Sequence, residues 1–147
     1  MKVPFGLIFL GLLVSNILSA QTDYNTAKAK VNAGAENWLK KNAGYTVVKD
    51  TTVALDSSES YKLDYEFKKD AAYKLAAVLS GEPSLTLQLE DIAIGAEVYA
   101  PGNKDDKGCT VAESDLTVSD TALETINVIT VGGGIGMPCR YLILKKR

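Results

Sequence analysis

The sequence contains no histidine among its 147 residues. This absence excludes Ser-His-Asp and Cys-His catalytic arrangements, which need an imidazole base, and every zinc site that includes histidine ligands. It also removes the side chain most used for acid–base catalysis near neutral pH. An enzyme built on this chain would have to work with carboxylates.

Cysteine is scarce, because only Cys109 and Cys139 occur, and no Asn-x-Ser/Thr site for an N-glycan is present. The cysteine spacing is not Cys-x-x-Cys, which disfavours a redox-active pair. In an oxidising compartment an even pair predicts a structural disulfide. That bridge would close a loop of about 30 residues and contribute about 3 kcal/mol in the chain-entropy model. Two free buried thiols are the alternative.

The charge is low, with a formal net value of −2 at pH 7. Nucleic acid is a poor candidate partner, since its recognition needs a basic field. Apart from the amino-terminal region, no apolar stretch approaches the length of a membrane-spanning helix. These counts favour one soluble domain with charges of both signs on its surface.

Residues 1–20 have the order of a secretory signal peptide. Lys2 precedes an apolar run over residues 5–14, and the segment ends in Leu18-Ser19-Ala20. We expect cleavage after Ala20 and a protein that is secreted, periplasmic or held at the cell surface. An uncleaved membrane anchor is the alternative, although the run is short for a spanning helix.

A helix is predicted over residues 24–42, with a cap at Thr22 or Asp23 and Gly44 just past its end. Its apolar stripe contains Tyr24, Ala27, Val31, Ala35 and Trp38. We expect this stripe to pack on a sheet; binding to a partner or to a membrane surface is the alternative. A role for Trp38 in stacking on sugars is the less favoured alternative.

From residue 45 onward the hydrophobic period changes from helical to two. Strands are predicted over residues 45–55 (one long strand or two short ones), 61–67, 72–79, 85–90, 92–99, 109–111, 116–118, 126–131 and 140–144. This pattern favours a mainly β fold, an antiparallel β-sandwich or jelly roll of seven to nine strands. The helix within residues 21–44 should lie across one end or edge of the sandwich, which would occupy residues 45–147. A closed barrel is the alternative.

A polar loop over residues 101–108 carries the candidate binding residues. Asn103, Asp105 and Asp106 offer oxygen ligands that could hold calcium, although a solvated turn is the default interpretation. Tyr99 precedes the loop and could stack on a sugar ring. We therefore treat these four residues as a speculative ligand site, predict no catalytic residue and require no cofactor.

Two other features have ordinary explanations. The glycine-rich run over residues 132–136 leads into a strand rather than a helix, so we expect a hairpin or edge loop and not a phosphate cradle. Acidic residues are plentiful, and two of them could form a glycosidase pair if the fold brought them together. The candidates are Asp64, Glu66, Glu90, Asp91, Glu97, Glu113 and Asp115.

Three segments carry a family resemblance. They are residues 67–75 (FKKDAAYKL), 85–91 (LTLQLED) and 141–144 (YLIL). In these segments the chain resembles secreted bacterial β-sandwich modules of the pre-peptidase carboxyl-terminal (PPC-like) type. The resemblance implies a jelly-roll module similar to carbohydrate-binding domains, of a kind that usually accompanies an enzyme.

Three functions follow as hypotheses. The first is a non-catalytic, exported binding module for a glycan or an extracytoplasmic protein. The second is a structural or surface-assembly protein that pairs through edge strands. The third is a small carboxylate-based hydrolase.

Overall fold

A computed structural model of the chain describes residues 5–56, 60–81, 84–90, 98–106, 108–131 and 136–147. In these residues one helix precedes nine strands, so the fold is mainly β as predicted. The elements are α1 (Phe5–Lys41), β1 (Tyr45–Leu55), β2 (Ser60–Phe67), β3 (Ala72–Ser80), β4 (Ser84–Glu90), β5 (Val98–Pro101), β6 (Asn103–Lys104), β7 (Cys109–Thr117), β8 (Ala122–Val131) and β9 (Met137–Lys146).

The strands form two antiparallel sheets. Five strands are arranged in the order β1-β9-β3-β7-β6, and four in the order β2-β8-β4-β5. One hydrophobic cluster contains side chains of both sheets, among them Phe67 of β2, Leu85 of β4, Leu75 of β3 and Ile143 of β9. Side chains of the two sheets therefore share one buried cluster.

The alternation predicted for residues 61–67 is confirmed. Leu63 and Phe67 are buried and Tyr61 and Tyr65 are half-buried, whereas the intervening charged residues are exposed. This is the pattern of a strand with one face in the core and one in water.

Both faces of β3 are buried. The predicted inner set of Tyr73, Leu75, Ala77 and Leu79 lies in the shared core. Ala76 and Val78 on the other face are also fully buried, because α1 packs over them. The period-two pattern could not reveal this second buried face, since small and β-branched residues occupy it.

Helix α1 lies on the outer face of the five-stranded sheet, over β9, β3 and β7, which corrects the expected position at an end or edge. Its predicted stripe supplies the contact, with Val31, Ala35 and Trp38 buried against Leu142 and Leu144. The helix lies on a face and not at an edge because both faces of β3 and β9 are apolar. The second face is removed from water only where α1 packs on it.

The boundaries of α1 match the prediction at one end only. It ends at Lys41, next to the predicted end, but it is continuous from Phe5, so Thr22 and Asp23 do not begin a helix here. The apolar run before them also favours a helix. A residue with a preference for capping does not start a new helix when the residues before it are already helical.

Several strand predictions change in detail. Residues 45–55 form one strand with a β-bulge between Val47 and Lys49. The two short strands expected at 109–111 and 116–118 are the single strand β7. Most of the strand expected at 92–99 and most of the glycine-rich run at 132–136 lie outside the described residues, as do Asp91 and Glu97.

The expected disulfide is not formed, because Cys109 and Cys139 are free thiols, both buried. Cys139 of β9 pairs with Leu79 of β3, and Cys109 of β7 pairs with the next residue, Ser80. Consecutive residues of a strand point to opposite faces, so the two thiols lie on opposite sides of the sheet with β3 between them. A disulfide needs its Cα atoms within about 7 Å, and two strand spacings exceed that distance.

Among the residues that the structure describes, no helix combines the length and the apolar character needed to cross a membrane.

Candidate functional site

The polar loop predicted over residues 101–108 is partly strand, because Pro101 ends β5 and Asn103–Lys104 form β6. What remains is a short connection from Asp105 to β7. The Asp105 backbone N–H donates to the Cys109 carbonyl at 2.8 Å, and the Asp105 Oδ1 atom accepts from the Cys109 backbone N–H, also at 2.8 Å. Gly108 adopts a φ of +74°, a conformation that glycine reaches without steric cost. The loop is therefore held by its own backbone and by one carboxylate oxygen of Asp105.

The last turns of α1 lie against this connection. Asn37 Nδ2 donates to Asp106 Oδ1 at 3.1 Å, and Trp38 Nε1 donates to Glu113 Oε2 of β7. Trp38 is only 6 % exposed and belongs to the helix–sheet cluster, so it packs as predicted and presents only its N–H edge to a polar group. These two hydrogen bonds fix the end of α1 relative to β7.

The close approach of α1 to β7 depends on a glycine. A Cβ atom built at Gly34 would lie 2.8 Å from Cys109 Sγ and 3.3 Å from Asp105 Oδ2. The Cys109 thiol donates to the Lys30 carbonyl of α1 at 3.3 Å. Burial, with the nearby charge of Asp105 as the smaller cause, raises the pKa of this thiol.

A cavity of about 360 Å³ lies between the end of α1 and the β6–β7 connection, and we call it the α1–β7 cavity. Its volume falls at the small end of the range of roughly 300–1,000 Å³ typical of ligand sites. Most of its lining side chains are polar or charged. The lining residues are Gly34, Asn37, Trp38, Lys41, Asn42, Lys74, Asn103, Lys104, Asp105, Val111 and Glu113.

Lys74 reaches the cavity from β3 and is held on two sides. Its Nζ atom lies 2.6 Å from Asp115 Oδ1 and 5.5 Å from the centre of the Tyr45 ring. The hydrogen bond to Asp115, against an opposing effect of burial, raises the pKa of Lys74. Lys74 is therefore a fixed positive charge in the wall of the cavity.

The other charged groups of the lining differ in their partners. Glu113 accepts from Trp38, and Asp105 accepts from the Cys109 backbone. Lys41, the last residue of α1, is exposed and forms no ion pair with any described residue. Three lysines and two carboxylates line the cavity, and the carboxylate of Asp115, the partner of Lys74, brings the two signs into balance.

The structure brings together part of the predicted ligand site. Asn103 and Asp105 line the α1–β7 cavity, and Asp106 lies beside it through its hydrogen bond to Asn37. Tyr99 lies on β5, where its backbone pairs with Gln88, and its side chain is outside the described part of the structure. Asn103, Asp105 and Asp106 therefore lie at or beside the α1–β7 cavity.

The described residues provide no set of ligands for the calcium ion considered in the sequence analysis. No three Asp, Glu, Cys or His side chains within the described ranges come together in a way that could hold a metal ion. One oxygen of Asp105 accepts from the backbone, and one oxygen of Asp106 accepts from Asn37. These contacts show how the fold uses both carboxylates without an ion.

Sequence reasoning missed the other wall of the cavity. The sequence predicts Trp38 as a core residue and Glu113 as one of several carboxylates, but no pattern in it indicates that the two side chains touch. Lys74 is an outward residue of a strand that is predicted to have one solvent-exposed face. The only sequence signal for this wall of the cavity is the position of Asn37 and Lys41 beside the apolar stripe at the end of the helix.

A second polar cluster joins the helix to the edge of the sheet. Arg140 of β9 donates through Nε and Nη2 to both carboxylate oxygens of Asp50, at 2.9 and 2.7 Å. Its Nη1 atom donates to Glu36 Oε1 at 3.1 Å and Asn32 Oδ1 at 3.4 Å. The Arg140 side chain is 13 % exposed and has all these partners within the fold, so the cluster stabilises the helix–sheet contact.

Comparison with known proteins finds no protein-family model and no curated protein that matches this chain. The resemblance to PPC-like modules therefore remains a prediction from the three sequence segments.

Proposed function

We propose that the chain is an exported, non-catalytic binding protein with a two-layer β-sandwich fold, and that its ligand occupies the α1–β7 cavity. The observation that carries the proposal is the lining of this cavity. Lysine, asparagine and carboxylate side chains from the helix and from three strands converge there around one tryptophan edge.

The sandwich is supported by the shared core. Phe67 and Leu85 of the four-stranded sheet lie in the same buried cluster as Leu75 and Ile143 of the five-stranded sheet. Two antiparallel sheets that bury one face each against a common core are the arrangement of a β-sandwich.

Export is supported by residues 1–20 alone. Their charged start, apolar middle and small-residue end are typical of a cleaved signal peptide. Among the residues of α1 whose burial the structure describes, Val31, Ala35 and Trp38 are buried against the sheet. Cleavage after Ala20 would leave these three residues in the chain.

A binding role is supported by the contacts of the cavity carboxylates. Glu113 accepts a hydrogen bond from Trp38, and Asp105 accepts one from the Cys109 backbone. Both carboxylates therefore have structural partners in the fold, and the other lining side chains, mainly lysine and asparagine, suit polar recognition.

A ligand screen with a blocked cavity tests the proposal. We expect the melting temperature of the purified chain to rise with at least one compound in a panel of monosaccharides, oligosaccharides and short peptides. Asn103→Trp, at the exposed rim of the cavity, should abolish that rise. Ser119→Trp places the same side chain on an exposed bend elsewhere and should leave the rise intact.

Two results would contradict the proposal. One is a panel in which no compound changes the melting temperature. The other is a ligand whose effect survives Asn103→Trp unchanged, because that ligand would bind elsewhere. Hydrolysis of any panel member would contradict the non-catalytic part.

Assembly through an edge strand is the second candidate, favoured by β1. This strand is at the edge of its sheet, and its Val47 and Val48 side chains are 44 % and 38 % exposed. A long edge strand with exposed apolar residues is a template for pairing with another chain. Assembly predicts concentration-dependent oligomers in sedimentation that Val48→Lys dissociates, and a monomer at all concentrations would exclude it.

A further inference from the structure

We propose that β2 is an interface between two copies of this chain, which pair antiparallel through their β2 strands and join their four-stranded sheets into one continuous sheet. The partner is therefore a second copy of the same protein. This inference goes beyond the proposed ligand binding, because β2 contributes no residue to the lining of the α1–β7 cavity. It also assigns pairing to a different strand from the alternative assembly through β1.

The two sheets have four edge strands in the described part of the chain, and three of them are poorly suited to a regular partner strand. β6 has two residues, and β5 has four and ends in Pro101. β1 is long, but a bulge between Val47 and Lys49 interrupts its ladder. Short strands, proline and bulges are devices by which proteins keep sheet edges from pairing.

β2 has none of these devices. It is eight residues long, contains neither proline nor glycine, and pairs with β8 along its whole length without a register shift. Among the described residues no strand pairs with its other side. In an antiparallel ladder every second residue directs its N–H and C=O groups away from the existing partner. The outer side of β2 therefore offers a continuous row of hydrogen-bonding groups.

A second copy fits this edge because β2 is self-complementary in one register. Two antiparallel copies of a strand in one sheet are related by a two-fold axis perpendicular to the sheet, so opposing side chains lie on the same face. When Leu63 opposes its own counterpart, Lys62 opposes Asp64 of the second copy. The two neighbouring registers of this kind would place Lys62 opposite Lys62, or Asp64 opposite Asp64. Like charges directly opposite each other destabilise a strand pair, which selects the first register.

The charged pairs of this register do not require an unoccupied carboxylate. Lys62 is exposed and forms no ion pair with any described residue, whereas Asp64 already interacts with another group of the chain. A carboxylate has several lone pairs and can accept from a second donor. The choice of register depends on the avoidance of like charges, and that avoidance holds whatever the present partner of Asp64.

The inward side chains of β2 suit the same register. Tyr61 and Tyr65 are half-buried and pack against the shared core. With Leu63 on the two-fold axis, Tyr61 opposes Tyr65 of the second copy. Cross-strand aromatic pairs are favourable, and tyrosine is enriched in protein interfaces. Pairing would remove from water part of the tyrosine surface that a single chain leaves exposed.

Sedimentation velocity of the purified chain over a series of concentrations tests the interface. We expect a monomer–dimer equilibrium. Lys62→Asp and Asp64→Lys each place like charges opposite each other twice in the dimer, so each should weaken dimerisation about tenfold or more. Lys28→Asp makes the same charge reversal at an exposed position of α1 and should change it less than about threefold.

A mixture of the two single variants tests the register. In a mixed dimer every charge at positions 62 and 64 opposes a charge of the other sign, so the two variant chains should prefer each other. We expect the mixed dimer to recover the affinity of the unmodified chain within about threefold. Native mass spectrometry separates the mixed dimer from the two homodimers by mass. Melting temperatures verify that both variants fold, as expected for substitutions at exposed positions.

The possible results separate this inference from the others. A chain that stays monomeric at every concentration would overturn it. Dimers that survive both charge reversals would place the interface elsewhere, and dimers that only Val48→Lys dissociates would place it on β1. Weakening by both folded variants without a preferred mixed dimer would overturn the assigned register. Ligand binding in the α1–β7 cavity is measured independently with Asn103→Trp, so its failure would leave the β2 interface intact.

Discussion

Gly34 of α1 lies against Cys109 of β7 so closely that a Cβ atom at Gly34 would fall 2.8 Å from the Cys109 sulfur and 3.1 Å from its Cβ atom. The cysteine is fully buried, and its thiol donates to the Lys30 carbonyl of the same helix. The distance between helix and sheet at this end, and with it the shape of the α1–β7 cavity, is therefore set by this pair.

Gly34→Ala should destabilise the fold. The added methyl group costs about 1–3 kcal/mol by overpacking, offset by about 1 kcal/mol from the better helix propensity of alanine. We expect a net loss of about 1 kcal/mol in the free energy of unfolding, measured by urea denaturation.

Two variants control this measurement. Gly44→Ala should be neutral or slightly stabilising, because a Cβ atom there meets nothing within 4 Å. In a Cys109→Ala background the cost of Gly34→Ala should shrink, because the sulfur is gone. An undiminished cost in that background would show that the two residues do not constrain each other.

Arg140→Met should loosen the contact between α1 and the edge of the sheet. It removes the hydrogen bonds to Asp50 and Glu36 while keeping an unbranched apolar stem, and we expect a loss of about 2 kcal/mol. Lys68→Met is the matched control, because the Lys68–Glu66 pair is more than half exposed and should contribute less than about 1 kcal/mol. Equal losses in the two variants would refute a structural role specific to Arg140.

Stability should fall at alkaline pH because of Cys139. Burial raises the pKa of this thiol from 9.0 to about 12. Between these values the unfolded chain has lost the proton and the folded chain still holds it, so unfolding becomes easier as pH rises. The slope from this group is about half of 1.4 kcal/mol per pH unit near pH 9 and approaches about 1.4 above that.

Urea denaturation from about pH 8 to about pH 10 measures this slope before tyrosine ionisation dominates. Cys139→Ala should show a flatter decline than the unmodified chain, and parallel declines would exclude Cys139 as the cause. In the denatured chain both thiols should react with iodoacetamide, since both are free. Failure of the unreduced chain to react would mean that they are bridged.

Export should leave Gln21 as the first residue. Expression of the full chain in a secreting bacterium, followed by intact-mass analysis, should give a protein that lacks residues 1–20, with Gln21 free or cyclised. Ala20→Arg is expected to block cleavage at this position, because signal peptidase sites need small residues. A full-length mass from the unmodified chain would refute the signal-peptide hypothesis.

Periodicity predicted most of the elements because it depends on local geometry. The alternation of Tyr61, Leu63, Tyr65 and Phe67 identifies β2, and the stripe that ends at Trp38 identifies the packed part of α1. Alternation located β3 and its inner face but did not reveal that the other face is buried as well, because burial of Ala76 and Val78 depends on the position of α1.

Only part of the candidate site could be predicted, because its residues come from segments that are distant in the sequence. Asn103 and Asp105 could be chosen because polar residues next to glycine indicate an exposed connection. Lys74 and Glu113 could not, since they are outward residues of separate strands. Only the pairing of β3 with β7 and the position of α1 bring them to the same cavity.

By itself the sequence determined the mainly β class, the helix that ends near Lys41 and the absence of any imidazole chemistry, because these depend on composition and short-range periodicity. The tertiary structure decided which strands are neighbours, and neighbours decide what residues distant in the chain can do together. Cys109 and Cys139 look like an obvious disulfide in the sequence. Strand register places them on opposite faces of one sheet, with β3 between them, where no covalent bond can reach.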